Sequence, residues 1–396
     1  MIPALRERFN REFTPAKFAR LQALVAGRAG GPVPFPISET PCFFPAALLD
    51  QMATTGAELV TGFLADTRAR AEAEALIPAR YLGPGQGATP TFVQVDFGLV
   101  RTDDGRYEPR LVELQAFPSL YGFQQVLADA HREVYDLPHD LAAHLDGLDT
   151  DGYLALMTRV LCGAHRPTDV VLMEIAPERQ KTLPDFTITR ALWGIDTVDP
   201  QEVFVRERQL WRRRDGVEVP IRRVYNRIIP DELDRTGHPM PLDYRDDLDV
   251  EWIGHPAWYF RISKSAIPWL AHPFVPRTWR LDTVDGLPAD RHDLVLKPLF
   301  SFAGGGIVFA PSDAELAAIP PEQRHLYLLQ ERVPFAPVIE TPHDATQAEV
   351  RIMYVWTDRL RPVLPLVRMG RGTMMGVAHN RGLSWVGASA GFAPRP

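Results

Sequence analysis

The first eighty residues carry apolar side chains at helical spacing. Thr14-Pro15 fits a helix cap followed by proline in the first turn, and Phe18, Leu21 and Val25 then recur along one helix face. A second helical pattern runs through about Pro45–Arg70. These patterns predict a helical N-terminal segment.

Beyond residue 90 the pattern changes to short, apolar-rich runs typical of β-strands. Thr91–Gly98 and Arg110–Gln115 flank Thr102–Gly105, which is a strong turn signal. We therefore predict two antiparallel strands joined as a hairpin. Tyr121–Tyr135 follows with a helical pattern, and we expect this helix to pack behind the hairpin.

The middle of the chain combines one βα unit with further strands. Val170–Ile175 has the pattern of a buried strand, and a helix follows near Asp185–Leu192. Asp215-Gly216 marks a tight turn between the last two of three later strand-like runs. Those runs are Glu202–Arg206, Gln209–Arg213 and Val217–Tyr225.

A compact strand pattern begins near residue 293. Ser312 and Glu315 have the spacing of a capping box, which places a helix start between two strands. The predicted elements are strands Asp293–Lys297, Ile307–Phe309, Leu326–Gln330, Glu349–Val355 and Pro362–Val367, and helix Ser312–Ala318. The whole pattern predicts an α+β fold with mixed and antiparallel sheets and flanking helices. We divide it into a helical segment (1–80), an α/β region (81–255), a lid with a glycine-rich loop (256–345) and C-terminal strands (346–396).

The charge balance argues against several classes of function. The chain has 396 residues with 43 Lys and Arg against 50 Asp and Glu, so it has no overall attraction for nucleic acid or an anionic membrane. The arginines at 206–223 are interleaved with acids and indicate a solvated face. The sequence has two cysteines, a charged start without a signal-peptide core, and no apolar run of about 18 residues. We expect a soluble cytoplasmic protein that binds neither nucleic acid nor membrane.

A glycine-rich loop after a strand that ends in lysine is the most informative segment for chemistry. Lys297 ends the strand, Ser301 follows, and Gly304, Gly305 and Gly306 form the loop. Successive glycines let the backbone approach an anion with several N–H groups, and the lysine adds a positive charge. The residue order is neither that of a P-loop nor that of a dinucleotide-binding turn. A hairpin turn with a surface lysine is the alternative, although a lysine in a buried strand is costly without a partner.

Two further groups of polar residues could complete a nucleotide site. Gln330-Glu331 ends a later strand and could offer backbone groups to adenine and a carboxylate to ribose. Glu113 and Gln115 lie two apart on one strand and face the same way, and Asp96 on the partner strand could face them. Two carboxylates and an amide oxygen suit Mg²⁺, which fills its other positions with phosphate and water. A solvated strand face with incidental acids is the alternative.

Taken together, these residues resemble the ATP-grasp superfamily. Lys297, the glycines and Gln330-Glu331 look like its nucleotide-binding half. The metal-ligand candidates precede the glycine-rich loop, and no Asp or Glu follows Asp358. This order along the chain is similar to that of the permuted branch, which is typified by glutathionylspermidine synthetase and eukaryotic glutathione synthetase. The resemblance implies an ATP-grasp fold in circularly permuted order, with ATP and Mg²⁺ as cofactors. Gln115 stands where that branch carries asparagine, and Gln94 stands where the glutathionylspermidine enzymes carry a substrate-binding arginine.

The C-terminal strands carry arginines that have no acidic neighbour after residue 358. We take Arg351, Arg368 and Arg371, with Asn380, as the candidate catalytic residues. A planar guanidinium suits an acyl phosphate or a carboxylate substrate, and either would supply the missing negative charge. A basic surface edge is the alternative.

The resemblance implies an ATP- and Mg²⁺-dependent ligase that joins a carboxylate to an amine or thiol through an acyl phosphate and releases ADP and phosphate. Mg²⁺ on Asp96, Glu113 and Gln115 would bridge the phosphates, while Lys297 and Lys264 would bind the α- and β-phosphates. The partners would be a small-molecule or peptide carboxylate and its co-substrate, and analogy suggests a homodimer. An ATP-grasp phosphotransferase and a non-catalytic nucleotide-binding protein are the alternatives.

Overall fold

The computed structural model describes residues 1–284, 286, 290–301, 305–376, 380 and 382–395. The α-helices are α1 Pro3–Glu12, α2 Pro15–Arg28, α3 Ala46–Ala65, α4 Thr67–Ala75, α5 Tyr121–Tyr135, α6 Thr150–Cys162, α7 Leu183–Trp193, α8 Pro230–Thr236, α9 Ala257–Arg261 and α10 Asp313–Ala317. Short 3₁₀ helices cover Ala79–Tyr81, Pro167–Asp169, Pro177–Arg179, Pro200–Glu202, Lys264–Trp269 and Pro321–Leu326.

The strands form four sheets. In chain order they are β1 Cys42–Phe43, β2 Phe92–Arg101, β3 Tyr107–Gln115, β4 Leu141–Ala142, β5 Val170–Met173, β6 Asp196–Val198, β7 Val203–Arg206, β8 Gln209–Arg214, β9 Val217–Ile221, β10 Arg223–Asn226, β11 Glu251–Ile253, β12 Thr278–Arg280, β13 Leu294–Pro298, β14 Val308–Phe309, β15 Tyr327–Glu331, β16 Pro337–Ile339, β17 Thr346–Trp356, β18 Leu360–Gly370 and β19 Gly387–Pro394.

The largest sheet has the order β1-β19-β18-β17-β2-β3, with β16 and β4 added beside β17 and β19. Its pairings are antiparallel except for the parallel pair of β1 and β19. Alternation along β17 sends Val350, Ile352 and Tyr354 into the core beneath α3. The opposite face of the same strand carries Glu349 and Arg351, so one strand serves both the core and a polar surface.

Three smaller sheets accompany the large one. The sheet β11-β10-β5-β6 is parallel throughout, and α7 lies in the connection from β5 to β6. The sheet β12-β15-β13-β14 is antiparallel and carries the glycine-rich loop between β13 and β14. The sheet β7-β8-β9 is an antiparallel meander. The prediction of mixed and antiparallel sheets with flanking helices is thus confirmed.

Several local predictions agree with the structure. Helix α5 has the predicted bounds, β2 and β3 form the predicted hairpin, and the Thr14 side chain accepts a hydrogen bond from the backbone N–H of Lys17 at the start of α2. The capping box at Ser312 is also present, because its hydroxyl and the Glu315 carboxylate each bind the other's backbone N–H.

Other predicted elements are divided in the structure. The pattern at 45–70 is two helices, because Asp66 ends α3 and its carboxylate caps α4 through the backbone N–H groups of Arg68 and Ala69. The run at 217–225 is β9 and β10, which belong to different sheets and are separated at Arg222. Among the described residues, no helix is long and apolar enough to cross a membrane.

Candidate functional site

The register of the large sheet brings the predicted acids and arginines onto one face. Glu113 pairs with Asp96, and Asp96 pairs with Arg351 on the other side of β2. In the adjacent row, Glu349 on β17 pairs with Arg368 on β18. Directly opposed residues in an antiparallel sheet project to the same face. Residues from β3, β2, β17 and β18 therefore form one polar cluster.

Asp96 lies at the centre of this cluster and is bound by two arginines. Its Oδ1 accepts from Arg351 Nε at 2.6 Å, and its Oδ2 accepts from Arg351 Nη2 at 2.7 Å and also from Arg368. Only 3% of the Asp96 side chain is exposed. A buried carboxylate with both oxygens held by guanidinium groups is a positioning group for those arginines.

Arg368 has acidic partners that its neighbourhood in sequence did not indicate. Its guanidinium contacts Asp96, which lies far earlier in the chain, and Glu349, which pairs with it across β17. Its Nε is buried without a hydrogen-bond partner, so one donor of this arginine is still unused. Each of the three nitrogens of Arg351 makes a hydrogen bond, because its remaining Nη1 donates to Gln94 Oε1 at 2.9 Å.

The carboxylates of the cluster are electrostatically distinct. Burial alone would raise the pKa of Asp96, but Arg351 and Arg368 outweigh it and hold that pKa below its usual value. Burial raises the pKa of Glu349, and the neighbouring Asp96 carboxylate adds to the effect while Arg368 opposes it. Of the two acids that share Arg368, Glu349 is therefore the easier to protonate.

Glu113 and Gln115 face the cluster; Glu113 is the metal-ligand candidate that keeps free capacity, whereas the Gln115 amide packs against Gln94 and Arg351. Glu113 is 30% exposed, and its Oε1 receives only a long contact of 3.3 Å from Lys264 Nζ. The Gln115 amide lies 2.8 Å from Gln94 Oε1. One carboxylate and one amide suit Mg²⁺, which takes few protein ligands beside phosphate and water. In the described residues no group of three His, Cys, Asp or Glu side chains could hold a metal alone.

Lys297 connects the large sheet with the sheet of the glycine-rich loop. Its Nζ donates to Gln330 Oε1 at 2.5 Å and to the Val112 carbonyl at 3.2 Å. That carbonyl is available because β2 and β3 shift register between the Asp96–Glu113 and Phe97–Leu111 pairs, which leaves Val112 as the extra residue of a bulge. Burial lowers the pKa of Lys297 to about 8. The Glu113 carboxylate raises this pKa and the Lys264 ammonium lowers it, but burial has the largest effect.

The remaining predicted nucleotide residues lie around Lys297. Lys264 Nζ donates to the Ser301 carbonyl at 3.1 Å, and the Ser301 hydroxyl is buried without a partner. The Nε2 of Gln330 is likewise buried and unpaired. These unused groups fit a polar ligand that would satisfy them. The fit to a nucleotide therefore rests on the Ser301 hydroxyl and the Gln330 Nε2, which have no hydrogen-bond partner within the protein.

The loop itself is only partly described. Gly305 and Gly306 are exposed, and Gly304 lies outside the described residues. Gly306 has a φ of +71°, and a Cβ there would stand 2.8 Å from the Pro298 ring. A side chain at this position would be strained in conformation and crowded in space. The glycine therefore keeps the loop close to the end of β13.

A cleft of about 930 Å³ separates the two sheets. Its walls include Glu113, Gln115, Arg351 and Arg368 from the large sheet and Ser301, Lys297, Gln330 and Glu331 from the loop sheet and its connection. This volume accommodates a nucleotide-sized ligand with a second small molecule. Eight of the sequence-predicted residues thus line one cavity, whereas Asp96 and Lys264 are buried and are not part of its wall.

Two of the predicted catalytic residues lie away from the cleft wall. Arg371 donates from Nη1 to the Ser384 carbonyl at 3.0 Å and from Nη2 to the Asp344 carbonyl at 3.3 Å. Asn380 accepts from the Arg371 backbone N–H at 2.9 Å and donates to the Met374 carbonyl at 3.0 Å. Both side chains support the loop at 371–376. Their predicted catalytic role has no counterpart in these contacts.

Glu331 borders the cleft but already has a partner. Its Oε1 accepts from Arg277 Nε at 2.6 Å, so a ribose would have to share or displace this exposed ion pair. Sequence reasoning did not take Glu349 as a site residue and treated Gln94 only as a departure from the family pattern, whereas the structure includes both in the polar cluster. The signal for Glu349 was its position two residues before Arg351 on one strand, which places both on one face.

The fold has a counterpart among solved structures. A glutathione synthetase-like effector from Globodera pallida, solved in its apo form, superposes with a TM-score of 0.59 over 96% of each chain, at 15% sequence identity. No protein-family model matches the chain, and no curated protein matches it. At this identity the similarity shows the fold alone. The chain therefore has a fold similar to that of this glutathione synthetase-like effector.

Proposed function

We propose that this protein is an ATP- and Mg²⁺-dependent ligase that activates a carboxylate as an acyl phosphate and joins it to an amine or thiol. The observation that carries the proposal is the convergence of Lys297 and Glu113 with Arg368 in one cleft between two sheets. A cation for phosphates, a carboxylate for a metal and a guanidinium with an unused N–H are the groups that such a transfer needs.

The proposed fold is the permuted form of ATP-grasp. The strands with the metal-ligand candidates, β2 and β3, precede the strands β13, β14 and β15 that carry the nucleotide candidates. The described residues after β18 contain no carboxylate that could take over the metal role. The order of parts along the chain supports this assignment.

The nucleotide would lie along the loop sheet. Lys297 and Lys264 bring two cations to the side of the cleft where Ser301 and Gln330 have unpaired polar atoms. The loop around Gly305 and Gly306 would cover the phosphates and exclude water from the transfer. Glu113 and Gln115 would hold Mg²⁺, which when bound would neutralise phosphate charge during the transfer.

The acid would lie along the large sheet, with its carboxylate at Arg368. A carboxylate oxygen attacks the γ-phosphorus of ATP, the bond from that phosphorus to the β–γ bridging oxygen breaks, and ADP leaves. The amine or thiol then adds to the acyl carbon, the bond from that carbon to the phosphate oxygen breaks, and the proton of the nucleophile leaves with hydrogen phosphate. Arg368 would stabilise the tetrahedral intermediate through its unused Nε–H, a role worth about 10²–10³ in rate. Arg351 acts as a positioning residue, because each of its three nitrogens already donates to Asp96 or Gln94.

Hydroxylamine trapping tests this function without knowledge of the natural nucleophile. Hydroxylamine converts an acyl phosphate into a hydroxamate, so ATP, Mg²⁺, hydroxylamine and a panel of acids should give hydroxamate and ADP in equal amounts. Glu113→Gln should abolish both products. Glu108→Gln is the matched control, because Glu108 lies on the same strand and its carboxylate pairs with Arg110. Equal losses in the two variants, or ADP release without acid-dependent hydroxamate, would contradict the ligase assignment.

A non-catalytic nucleotide-binding protein is the second candidate. It is favoured by the ion pairs of Asp96, which remove one of the three predicted metal ligands. The two candidates differ in one observable. A binding protein would be stabilised by Mg²⁺-ATP and would leave the nucleotide intact with every acid in the panel.

A further inference from the structure

We propose that the acid substrate has an apolar body next to its carboxyl group, as an aliphatic or arylalkyl carboxylic acid does. This inference rests on the proposed ligase function and adds the substrate class. It comes from the way polarity changes across the large sheet, from acids on β3 and β2, through arginines on β17 and β18, to small apolar residues on β19.

The register defines this change residue by residue. In one row, Arg351 on β17 pairs with Leu366 on β18, and Leu366 pairs with Ala390 on β19. In the next row, Arg368 on β18 pairs with Ala388 on β19. A carboxylate held at Arg368 therefore has the metal candidates on one side and Leu366 and Ala388 on the other. The body of the acid must extend over this apolar side, because the opposite side belongs to the phosphates.

The far wall of the cleft is apolar as well. Phe35, Leu120, Phe123 and Met375 line it, and the rings of Phe35 and Phe123 meet edge to face with centroids 5.2 Å apart. Leu120 adopts a left-handed φ of 66°, and its backbone N–H is held by Asp185 Oδ2 at 3.0 Å. A strained backbone that is fixed in this way at a cavity wall is typical of a binding site.

The polar groups at this end disfavour a second carboxylate. Gln124 donates to the backbone carbonyls of Pro365 and Ser389 at 3.0 and 3.3 Å, and its Oε1 is buried without a partner. That oxygen can only accept hydrogen bonds, so it repels an anion. Lys181, the cation in the described part of this wall, is exposed at the rim, where water already solvates its charge.

The test compares acids that differ only at the far end. Hydroxamate formation is measured with butanoate, hexanoate and octanoate, and with adipate, which has the length of hexanoate and a second carboxylate. We expect kcat/KM to rise roughly four-fold for each added methylene that is buried. Hexanoate should exceed adipate by at least about ten-fold, because the second carboxylate would lose its hydration without gaining a partner. A flat chain-length series, or a preference for adipate, would overturn the inference.

A matched pair of variants locates the effect. Phe35→Ser should lower kcat/KM for hexanoate about ten-fold, leave the KM for ATP unchanged and reduce the chain-length dependence. Phe18→Ser makes the same change at a partly buried phenylalanine on α2 outside the cleft, and should leave all three quantities unchanged. Equal effects of the two variants on the acids would contradict an apolar substrate wall at Phe35.

Failure of this inference can be told apart from failure of the proposed function. The melting temperature is measured with Mg²⁺-ATP and then with Mg²⁺-ADP plus hexanoate or adipate. A Mg²⁺-ATP shift without further stabilisation by hexanoate overturns the apolar substrate class and leaves nucleotide binding in place. Absence of the Mg²⁺-ATP shift overturns the proposed function itself.

Discussion

Asp96 on β2 and Arg351 on β17 are directly paired across the large sheet, and the carboxylate holds the guanidinium through two parallel hydrogen bonds of 2.6 and 2.7 Å. The pair is buried and also contacts Arg368. This two-point contact fixes the plane of Arg351 and places Arg368 above the cleft. The pair therefore fixes the geometry of the two arginines, and both oxygens of Asp96 are engaged by guanidinium groups.

Asp96→Asn should strongly destabilise the protein. The change keeps the shape of the side chain but leaves the buried Arg351 and the partly buried Arg368 with only Glu349 as a carboxylate partner in the cluster. Loss of one member of a buried ion pair typically costs about 3–5 kcal/mol of unfolding free energy. Urea unfolding measures the effect. Asp104→Asn, in the exposed turn of the hairpin, is the control and should leave the unfolding midpoint unchanged; a similar midpoint for both variants would contradict the positioning role of Asp96.

Binding of ATP should weaken as the pH rises through the pKa of Lys297. Burial lowers this pKa to about 8, so the ammonium group carries its charge at pH 7 and loses it at pH 9 in the free protein. The Kd for Mg²⁺-ATP should therefore increase between pH 7 and 9. In Lys297→Arg the cation cannot titrate in this range, and a flat profile is expected. The same slope in wild type and variant would assign the titration to another group.

The same shift has a stability consequence of opposite sign. Between about pH 8 and the ordinary lysine value of 10.5, the unfolded chain binds more protons at this site than the folded chain does. Stability contributed by this lysine therefore rises with pH in that window. Comparison of unfolding midpoints for wild type and Lys297→Met at pH 7.5 and 9.5 measures it. If the unfolding midpoint of wild type relative to the variant does not rise from pH 7.5 to pH 9.5, the pKa of Lys297 is not lowered in the folded protein.

Asn380→Ala should affect the acid side of the cleft and leave the nucleotide side intact. Asn380 is buried and supports the loop at 371–376 by bonds to Arg371 N–H and the Met374 carbonyl. Removal of the side chain leaves these groups unpaired, at a cost of about 1–3 kcal/mol. We expect a lower melting temperature and a higher KM for the acid, with the Mg²⁺-ATP shift retained. A lost Mg²⁺-ATP shift in a folded variant would contradict this separation of roles.

Gly306→Ala should weaken nucleotide binding without a large loss of stability. The residue has a left-handed φ, and an added Cβ would contact the Pro298 ring, so the loop must move away from β13. Gly216→Ala is the matched control, because Gly216 has a φ of +79° in a turn with open space around it. Calorimetric titration with Mg²⁺-ATP should give a higher Kd only for Gly306→Ala. An equal Kd for the two variants would exclude a phosphate-binding role for the loop.

Local patterns predicted much of the fold, and long-range pairing explains what they missed. Helix α5 and the hairpin of β2 and β3 follow from spacing and turn residues within one continuous stretch, residues 92–135. Strand β19 consists largely of glycine and alanine, so its sequence has no β-branched or alternating signal. The ion pair of Asp96 with Arg351 joins residues 255 positions apart. This pairing follows from the order of the strands in the sheet, and that order cannot be read from a single sequence.

Within the candidate site, residue chemistry was easier to predict than residue pairing. Glu113, Lys297 and Gln330 lie around the cleft as their neighbouring strands suggested. Arg371 and Asn380 looked equivalent to Arg368 in sequence, but in the structure their side chains donate hydrogen bonds to backbone carbonyls. An arginine that has no acidic residue near it in sequence can therefore still have hydrogen-bond partners in the fold, so this pattern does not identify an arginine that is available to a substrate.

The most direct test of the central claim is the melting temperature with ATP and Mg²⁺, with ATP alone, and with neither. Ligand at about 100 times its Kd stabilises by about 2.7 kcal/mol, which corresponds to a shift of a few degrees for a chain of this size. We predict a Mg²⁺-dependent shift in wild type that is lost in Lys297→Ala and in Glu113→Gln and retained in Glu108→Gln. No shift of wild type at millimolar Mg²⁺-ATP would contradict a nucleotide site in this cleft.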